Sequence, residues 1–168
     1  MKNILLFIVA FFSINAQENN TAECKCCTEN HTQFDFWIGE WTVYDTLDNM
    51  VGSNTITKSY ENCLIEESWI SKGKNRGTSY NYYDPKDSTW NQLWIDNQGT
   101  ILKLKGSFLN NRMVLKSELK KGQKVDWYYD RITWQEINDG TVKQTWEIFD
   151  KNNNLLTTLF TGIYKKKN

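Results

Sequence analysis

The sequence predicts an all-β protein whose main domain is an antiparallel up-and-down β-barrel of about ten strands. From residue 34 onward, short runs rich in Trp, Tyr, Thr, Ile and Val alternate with polar residues. Turn signals such as Asp84-Pro85 and Asn138-Asp139-Gly140 separate these runs at intervals of about 8–12 residues. Strands joined only by tight turns pair with their chain neighbours, and a long meander removes its free edges by closing into a barrel.

The N-terminus has the pattern of a secretory signal peptide. Lys2 precedes an apolar run over residues 4–14, and the small residue Ala16 stands where cleavage would follow. The run is too short for a transmembrane helix, which needs about 20 apolar residues. We therefore expect residues 1–16 to be removed, the protein to be exported to the periplasm or the extracellular space, and the mature chain to have no membrane span.

The charge of the mature chain excludes some partners. Without residues 1–16 the chain has one more acidic than basic residue, and its only basic run is Lys165-Lys166-Lys167. Nucleic-acid binders usually carry a large basic face, so we expect no nucleic-acid partner. No Pro-, Ser- or Gly-rich linker divides the chain, which predicts one barrel domain over residues 34–168 behind an N-terminal arm over residues 17–33. The oligomeric state stays open.

The N-terminal arm contains Cys24, Cys26 and Cys27, and Cys63 lies within the barrel region. An even number of cysteines in an exported protein predicts disulfides, and one of them would tie the arm to Cys63. Which arm cysteine pairs with Cys63 is open. The thiolates could instead bind copper(I) or zinc. Since no second cluster supplies further ligands at a familiar spacing, we expect no metal.

The turn signals delimit the individual strands. Their predicted ranges are 40–46, 51–60, 63–71, 77–83, 89–96, 100–109, 112–119, 124–137, 141–149 and 155–164. A short helical turn over residues 33–38 can precede the first strand and close one end of the barrel.

Several motifs together cover most of the mature chain. They are Phe36-Trp37-Ile38-Gly39-Glu40-Trp41, Cys63-x-Ile65-x-Glu67-x-Trp69, Tyr83-Asp84, Trp90-x-Gln92-x-Trp94-x-Asp96, Arg131 with Trp134, and Trp146-Glu147. This string resembles the DUF1579-like family of small exported bacterial proteins in the lipocalin-like (calycin) group. The resemblance implies a lipocalin-like barrel with a ligand-binding role and supplies no catalytic residues.

The same resemblance implies how the barrel closes. In the lipocalin pattern a Trp opening the first strand packs across the barrel floor beneath an Arg from a late strand. Applied here, Phe36, Trp37, Gly39 and Trp41 would close one end, with Arg131 over the Trp41 ring. The haem-binding nitrobindins are similar in outline but use a histidine from within the barrel. The sole histidine, His31, precedes the first strand, so we expect no haem or other cofactor.

Period-two alternation assigns the inward-facing residues. The inward sets predicted for three strands are Cys63, Ile65, Glu67 and Trp69; Trp90, Gln92, Trp94 and Asp96; and Val142, Gln144, Trp146 and Ile148. In strand 77–83 we prefer Ser79, Asn81 and Tyr83 to the opposite set.

The predicted interior mixes aromatic and polar side chains, and each unpaired buried polar group costs about 1–3 kcal/mol. One interpretation is an internal network in which Glu67 pairs with Arg131. The other is an aromatic cavity with a few polar anchors that binds one small, partly apolar molecule. The predicted ligand-binding residues are Glu67, Trp69, Asn81, Tyr83, Gln92, Trp94, Asp96, Arg131, Gln144 and Trp146.

Two other classes of function stay open. An enzyme would have to use the buried carboxylates of Glu67 or Asp96, because the sequence contains no nucleophile elbow, zinc-protease motif or phosphate loop. We therefore assign no catalytic residue and favour a protein that is not an enzyme. A surface or interaction protein with a filled barrel would instead use outward aromatics such as Tyr80, Tyr82 and Tyr128.

Overall fold

In the computed structural model, which describes residues 24–123, 125–138 and 140–167, the chain forms eleven strands and two short helical turns. The helical turns are α1 (Glu29–Thr32) and a 3-10 helix (Asp35–Trp37). The strands are β1 (Gly39–Tyr44), β2 (Met50–Ser59), β3 (Leu64–Ser71), β4 (Arg76–Asp84), β5 (Thr89–Asp96), β6 (Ile101–Leu109), β7 (Arg112–Lys116), β8 (Lys120–Lys121), β9 (Trp127–Asn138), β10 (Thr141–Asp150) and β11 (Leu155–Lys166). The predicted signal peptide lies outside the described residues.

The strands form a closed antiparallel barrel. From β1 to β7 each strand pairs with the next one along the chain, and β7 then pairs with β9. The order continues through β10 and β11, and β11 pairs with β1 to complete the ring. Ten strands make up the barrel, and β8 adds to β9 as an eleventh. The predicted up-and-down barrel of about ten strands is confirmed, and it fits the lipocalin-like class.

The clearest difference from the predicted strands lies after β7. The strand predicted over residues 112–119 ends at Lys116, because the Ser117 side chain accepts a hydrogen bond from the Asp130 amide at 3.0 Å. The chain leaves the regular ladder there and returns as β8. The helix α1 was not expected, since a single turn is too short to show an apolar period. The helical turn predicted over residues 33–38 is present as the 3-10 helix.

An aromatic cluster beside the 3-10 helix fills one end of the barrel. Phe34 stacks on Trp37 with ring centroids 4.9 Å apart and meets the edges of Trp90 and Trp134. The Trp41 ring donates its N–H to the Trp37 carbonyl over 2.9 Å. All five rings have an exposure of 2% or less, so this cluster is the core that closes the barrel.

The other residues predicted to close this end also lie there. Gly39 has φ +142°, a conformation that L side chains rarely adopt, at the entry into β1. Phe36 is half-buried, and its ring centroid lies 6.1 Å from that of Phe108.

The predicted position of Arg131 over the Trp41 ring is wrong. The cation over Trp41 is Lys166, whose Nζ lies 5.6 Å from the ring centroid. Arg131 lies on the outer face of β9, where its guanidinium stands 3.9 Å from the centroid of Phe149 and donates to Glu147 Oε2 at 2.7 Å. The physical reason is the pleat: the next residue, Ile132, points inward, so Arg131 points outward.

Two disulfides organise the N-terminal arm. Cys26 bonds to Cys63 and ties the arm to the turn before β3, and Cys24 bonds to Cys27. The predicted link between the arm and Cys63 is confirmed, and its partner is Cys26. Among the described residues, no group of three or more potential ligands is arranged to hold a metal ion, and no helix is long and apolar enough to cross a bilayer.

Candidate functional site

The half of the barrel away from the aromatic cluster contains a cavity of about 310 Å³. Its walls carry the aromatic side chains of Trp69, Trp94, Trp146 and Phe160, the aliphatic side chains of Leu102, Ile132 and Leu159, and the polar side chains of Glu67, Asn75, Gln92, Asp96, Gln144 and Tyr164. Leu159 is 54% exposed and marks the mouth.

Two glycines set the positions of two cavity indoles. A Cβ atom on Gly77 would lie 2.3 Å from Cζ2 of Trp94, and one on Gly52 would lie 2.5 Å from Cη2 of Trp69. Because both distances are far below van der Waals contact, each indole lies against bare backbone of a neighbouring strand. Glycine at these positions is therefore needed for the observed shape of the cavity.

Glu67 projects inward from β3 and is 5% exposed. Its Oε1 accepts a hydrogen bond from the Asn54 side-chain amide at 2.7 Å, and its Oε2 accepts one from the Ser79 hydroxyl at 2.6 Å. Ser79 is the direct partner of Glu67 across β3 and β4, so the register itself brings the two side chains together.

The hydrogen bonds around Glu67 continue into neighbouring strands. The Ser79 oxygen also accepts from Asn81 at 2.9 Å and from Gln92 at 3.3 Å, and Gln92 donates to the Asn81 carbonyl oxygen at 2.8 Å. On the other side of the barrel the Tyr164 hydroxyl donates to Gln144. We call this set the polar layer: Asn54, Glu67, Ser79, Asn81, Gln92, Gln144 and Tyr164. It forms the polar floor of the cavity. Its members Glu67, Gln92, Gln144 and Tyr164 line the cavity as well as taking part in the buried hydrogen-bond network.

The electrostatic environment of the polar layer differs from that of the mouth. Burial raises the pKa of Glu67, and the hydrogen bonds from Ser79 and Asn54 offset only part of this effect. Burial and the neighbouring Glu67 charge also hold the pKa of Tyr164 well above its ordinary value.

At the mouth the pKa of Asp96 is shifted in the opposite direction from that of Glu67. Burial pushes the pKa of Asp96 upward, but hydrogen bonds from the backbone amides of Thr100 and Gln98 outweigh it and lower the pKa. The cavity therefore has one ionised carboxylate near its mouth and one carboxylate in its floor whose ionisation is penalised by burial.

One buried acceptor in the polar layer has no hydrogen-bond partner among the described residues. It is the side-chain oxygen of Asn54, whose amide nitrogen is the group that donates to Glu67. An unsatisfied buried acceptor is costly, so this atom and the adjacent carboxylate together favour a hydrogen-bond donor.

Most of the inward-facing predictions agree with the structure. The predicted residues that line the cavity are Glu67, Trp69, Gln92, Trp94, Asp96, Gln144 and Trp146. Asn81 is buried within the polar layer beneath the cavity. Tyr83 also turns inward, but it lies beside Trp90 and His31 at the closed end and does not line the cavity.

Arg131 is the predicted cavity residue that the structure contradicts. It lies outside the barrel and pairs with Glu147, so it neither lines the cavity nor pairs with Glu67. The internal Glu67–Arg131 ion pair proposed from the sequence is therefore wrong. The side chains that donate hydrogen bonds to Glu67 are the neutral amide of Asn54 and the neutral hydroxyl of Ser79.

Asn54, Phe160 and Tyr164 belong to the site but were missed in the sequence. Asn54 lies in a strand whose two faces both carry small or polar residues, so alternation gives little contrast there. Tyr164 is the last residue of the strand predicted over 155–164, whereas β11 continues to Lys166. Alternation already places Phe160, Gly162 and Tyr164 on one face of the predicted strand, so assigning an inward face to this strand would have found both aromatic residues.

A scan against models of known protein families and a search of curated proteins both find no match to this chain. The description of the site therefore depends on its own residues and geometry.

Proposed function

We propose that this protein is an exported lipocalin-like barrel, related to the DUF1579-like family, that binds one small, partly apolar molecule in its interior. The observation that supports this most directly is the cavity of about 310 Å³, with four aromatic side chains in its walls and a buried polar layer as its floor. Small-molecule sites are commonly concave, mostly apolar and provided with a few convergent polar groups.

The size of the cavity limits the ligand. Cavities that bind small molecules span about 300–1,000 Å³, so this one suits a molecule of one or two rings rather than a haem or a long acyl chain. The aromatic walls favour a ligand with a flat or apolar body. The polar layer would orient it through a group that hydrogen-bonds to Glu67, Gln92 or Gln144.

The disulfides support export. Disulfides form and persist in oxidising compartments such as the periplasm and the extracellular space, and all four cysteines are paired. Together with the signal-peptide pattern, they favour a mature protein that works outside the cytoplasm.

The test starts from protein purified without refolding from its native host. We expect mass spectrometry of an organic extract to show one dominant small molecule at a mole ratio near one. The Trp94→Ala variant should lose this molecule while keeping its far-UV circular dichroism spectrum. Ile95→Ala is the matched control, because Ile95 is the next residue on the same strand and is 40% exposed on the outer face.

Two results would count against binding in this cavity. One is the absence of any co-purified compound together with an experimental structure whose interior is packed shut. The other is equal retention of the compound by both variants, which would place its site elsewhere on the protein.

A further inference from the structure

We infer that the ligand is a small organic cation, an amine with an aromatic or apolar body whose ammonium group lies among the cavity indoles and points toward Glu67. This inference rests on the binding function proposed above and specifies the chemical class of the ligand.

The first argument is the charge of the cavity walls. Of the described residues that line the cavity, Glu67 and Asp96 are acidic and none is Lys, Arg or His. An anionic ligand such as a fatty acid would meet two carboxylates and no counter-charge. A cation would be attracted into the same space.

The second argument is the hydrogen-bonding capacity of the floor. A carboxylate offers about four lone-pair positions, and the described residues supply Glu67 with one donor on each oxygen. The unsatisfied oxygen of Asn54 adds a further acceptor beside it. Because a buried carboxylate without a cation is expensive, an ammonium group with its N–H donors is the chemistry that this floor lacks.

The third argument is the arrangement of the aromatic rings. Trp69 and Phe160 meet edge to face with centroids 6.2 Å apart and form one corner of the cavity. Trp146 donates its only N–H to Asp130 at 2.8 Å, so it has no further donor to offer a ligand. Three indoles in the walls of a cavity with acidic residues favour a cation, because cation–π attraction is strongest with Trp.

Asp96 adds a role at the mouth. Its Oδ1 is held by the backbone amides of Gln98 and Thr100, both at 2.9 Å, and its Oδ2 accepts from Asn75 at 3.3 Å. This fixed, partly exposed carboxylate would attract a cation as it enters, and the attraction would weaken as salt is added.

The experiment compares three probes with the same indole body and different charge. They are tryptamine as the cation, tryptophol as the neutral analogue and indole-3-propionate as the anion, measured by isothermal titration calorimetry at neutral pH. We expect tryptamine to bind at least about tenfold more tightly than tryptophol, and the propionate to bind most weakly. Raising the salt concentration should weaken the binding of tryptamine alone.

Variants test the role of the floor. Glu67→Gln should reduce the affinity for tryptamine at least about tenfold and leave that for tryptophol within about threefold. Glu147→Gln is the matched control, because it removes an acidic charge from the outer face. Asp96→Asn provides a second variant should Glu67→Gln fail to fold. It should reduce both the affinity for tryptamine and the dependence of that affinity on salt concentration.

The outcomes separate this inference from the binding proposal. If tryptophol or the propionate binds as tightly as tryptamine, the cation inference is wrong and the binding function stands. The same conclusion follows if none of the probes binds and native protein yields a neutral or anionic compound. If no probe binds and no compound is recovered, both proposals are wrong.

Discussion

The Ser79 hydroxyl donates a hydrogen bond to Oε2 of Glu67 at 2.6 Å, between residues that pair directly across β3 and β4. Ser79 also accepts hydrogen bonds from Asn81 on its own strand and from Gln92 on β5, so it links the carboxylate on β3 to both β4 and β5. Glu67 is thus held in place by neutral partners within the barrel. Its protonation should influence both the stability of the fold and the affinity of the site.

The pH dependence of stability should report on Glu67. Burial raises its pKa in the folded state, so the folded protein retains a proton that the unfolded chain releases. Its contribution to the free energy of unfolding is complete below the unfolded pKa and is lost as the pH rises through the folded pKa. In urea unfolding we expect Glu67→Gln to gain stability relative to the parent protein as the pH rises from the unfolded pKa of Glu67 through its raised folded pKa. A difference that stays constant with pH would contradict the raised pKa.

Gly77→Ala should damage the site more than the fold. The added Cβ would lie 2.3 Å from Trp94 Cζ2 and 2.9 Å from the Ile95 carbonyl oxygen, so the indole must move. We expect a destabilisation of about 1–3 kcal/mol and a loss of probe affinity in calorimetry. Gly73→Ala is the control, because its Cβ would have an ordinary contact of 3.6 Å with Ser71. Equal affinity in both variants would show that Trp94 need not hold its present position.

Arg131→Ala should affect stability alone. The guanidinium lies over Phe149 and pairs with Glu147 on the outer face, where solvent weakens the ion pair. We expect a loss of about 1 kcal/mol, which lowers the melting temperature by about 2–4 °C for a protein of this size. The affinity of tryptamine should be unchanged. A large fall in affinity would mean that the outer face of β9 takes part in binding.

The two disulfides should contribute unequally to stability. Cys26 and Cys63 are 37 residues apart, whereas Cys24 and Cys27 are separated by 3. On the loop-entropy account, the double variant Cys26→Ser with Cys63→Ser should lose about 4 kcal/mol and Cys24→Ser with Cys27→Ser roughly half of that. Denaturant unfolding of both variants checks the order. Equal losses would show that loop length does not govern these bonds.

The inward faces of β3, β4 and β5 were predictable because alternation is a local property of the strand. Trp69, Trp94 and Gln92 occupy the faces that their own neighbours in sequence indicate. The same rule explains the error at Arg131. Trp134 is buried inside the barrel, so a regular pleat points Arg131, three positions earlier, outward, whereas the lipocalin-like resemblance implies an Arg over the Trp41 ring.

The sequence by itself determined the strand order, the turns and most inward-facing residues, since all of these depend on contacts between chain neighbours. Tertiary structure alone decided that Asn54 reaches Tyr164 at 3.5 Å across 110 residues, because only closure of β11 onto β1 brings these strands together. It also decided which cysteine pairs with Cys63 and that Glu67 has neutral partners instead of Arg131. These features depend on contacts between strands that are far apart in the sequence, and alternation along a single strand does not specify such contacts.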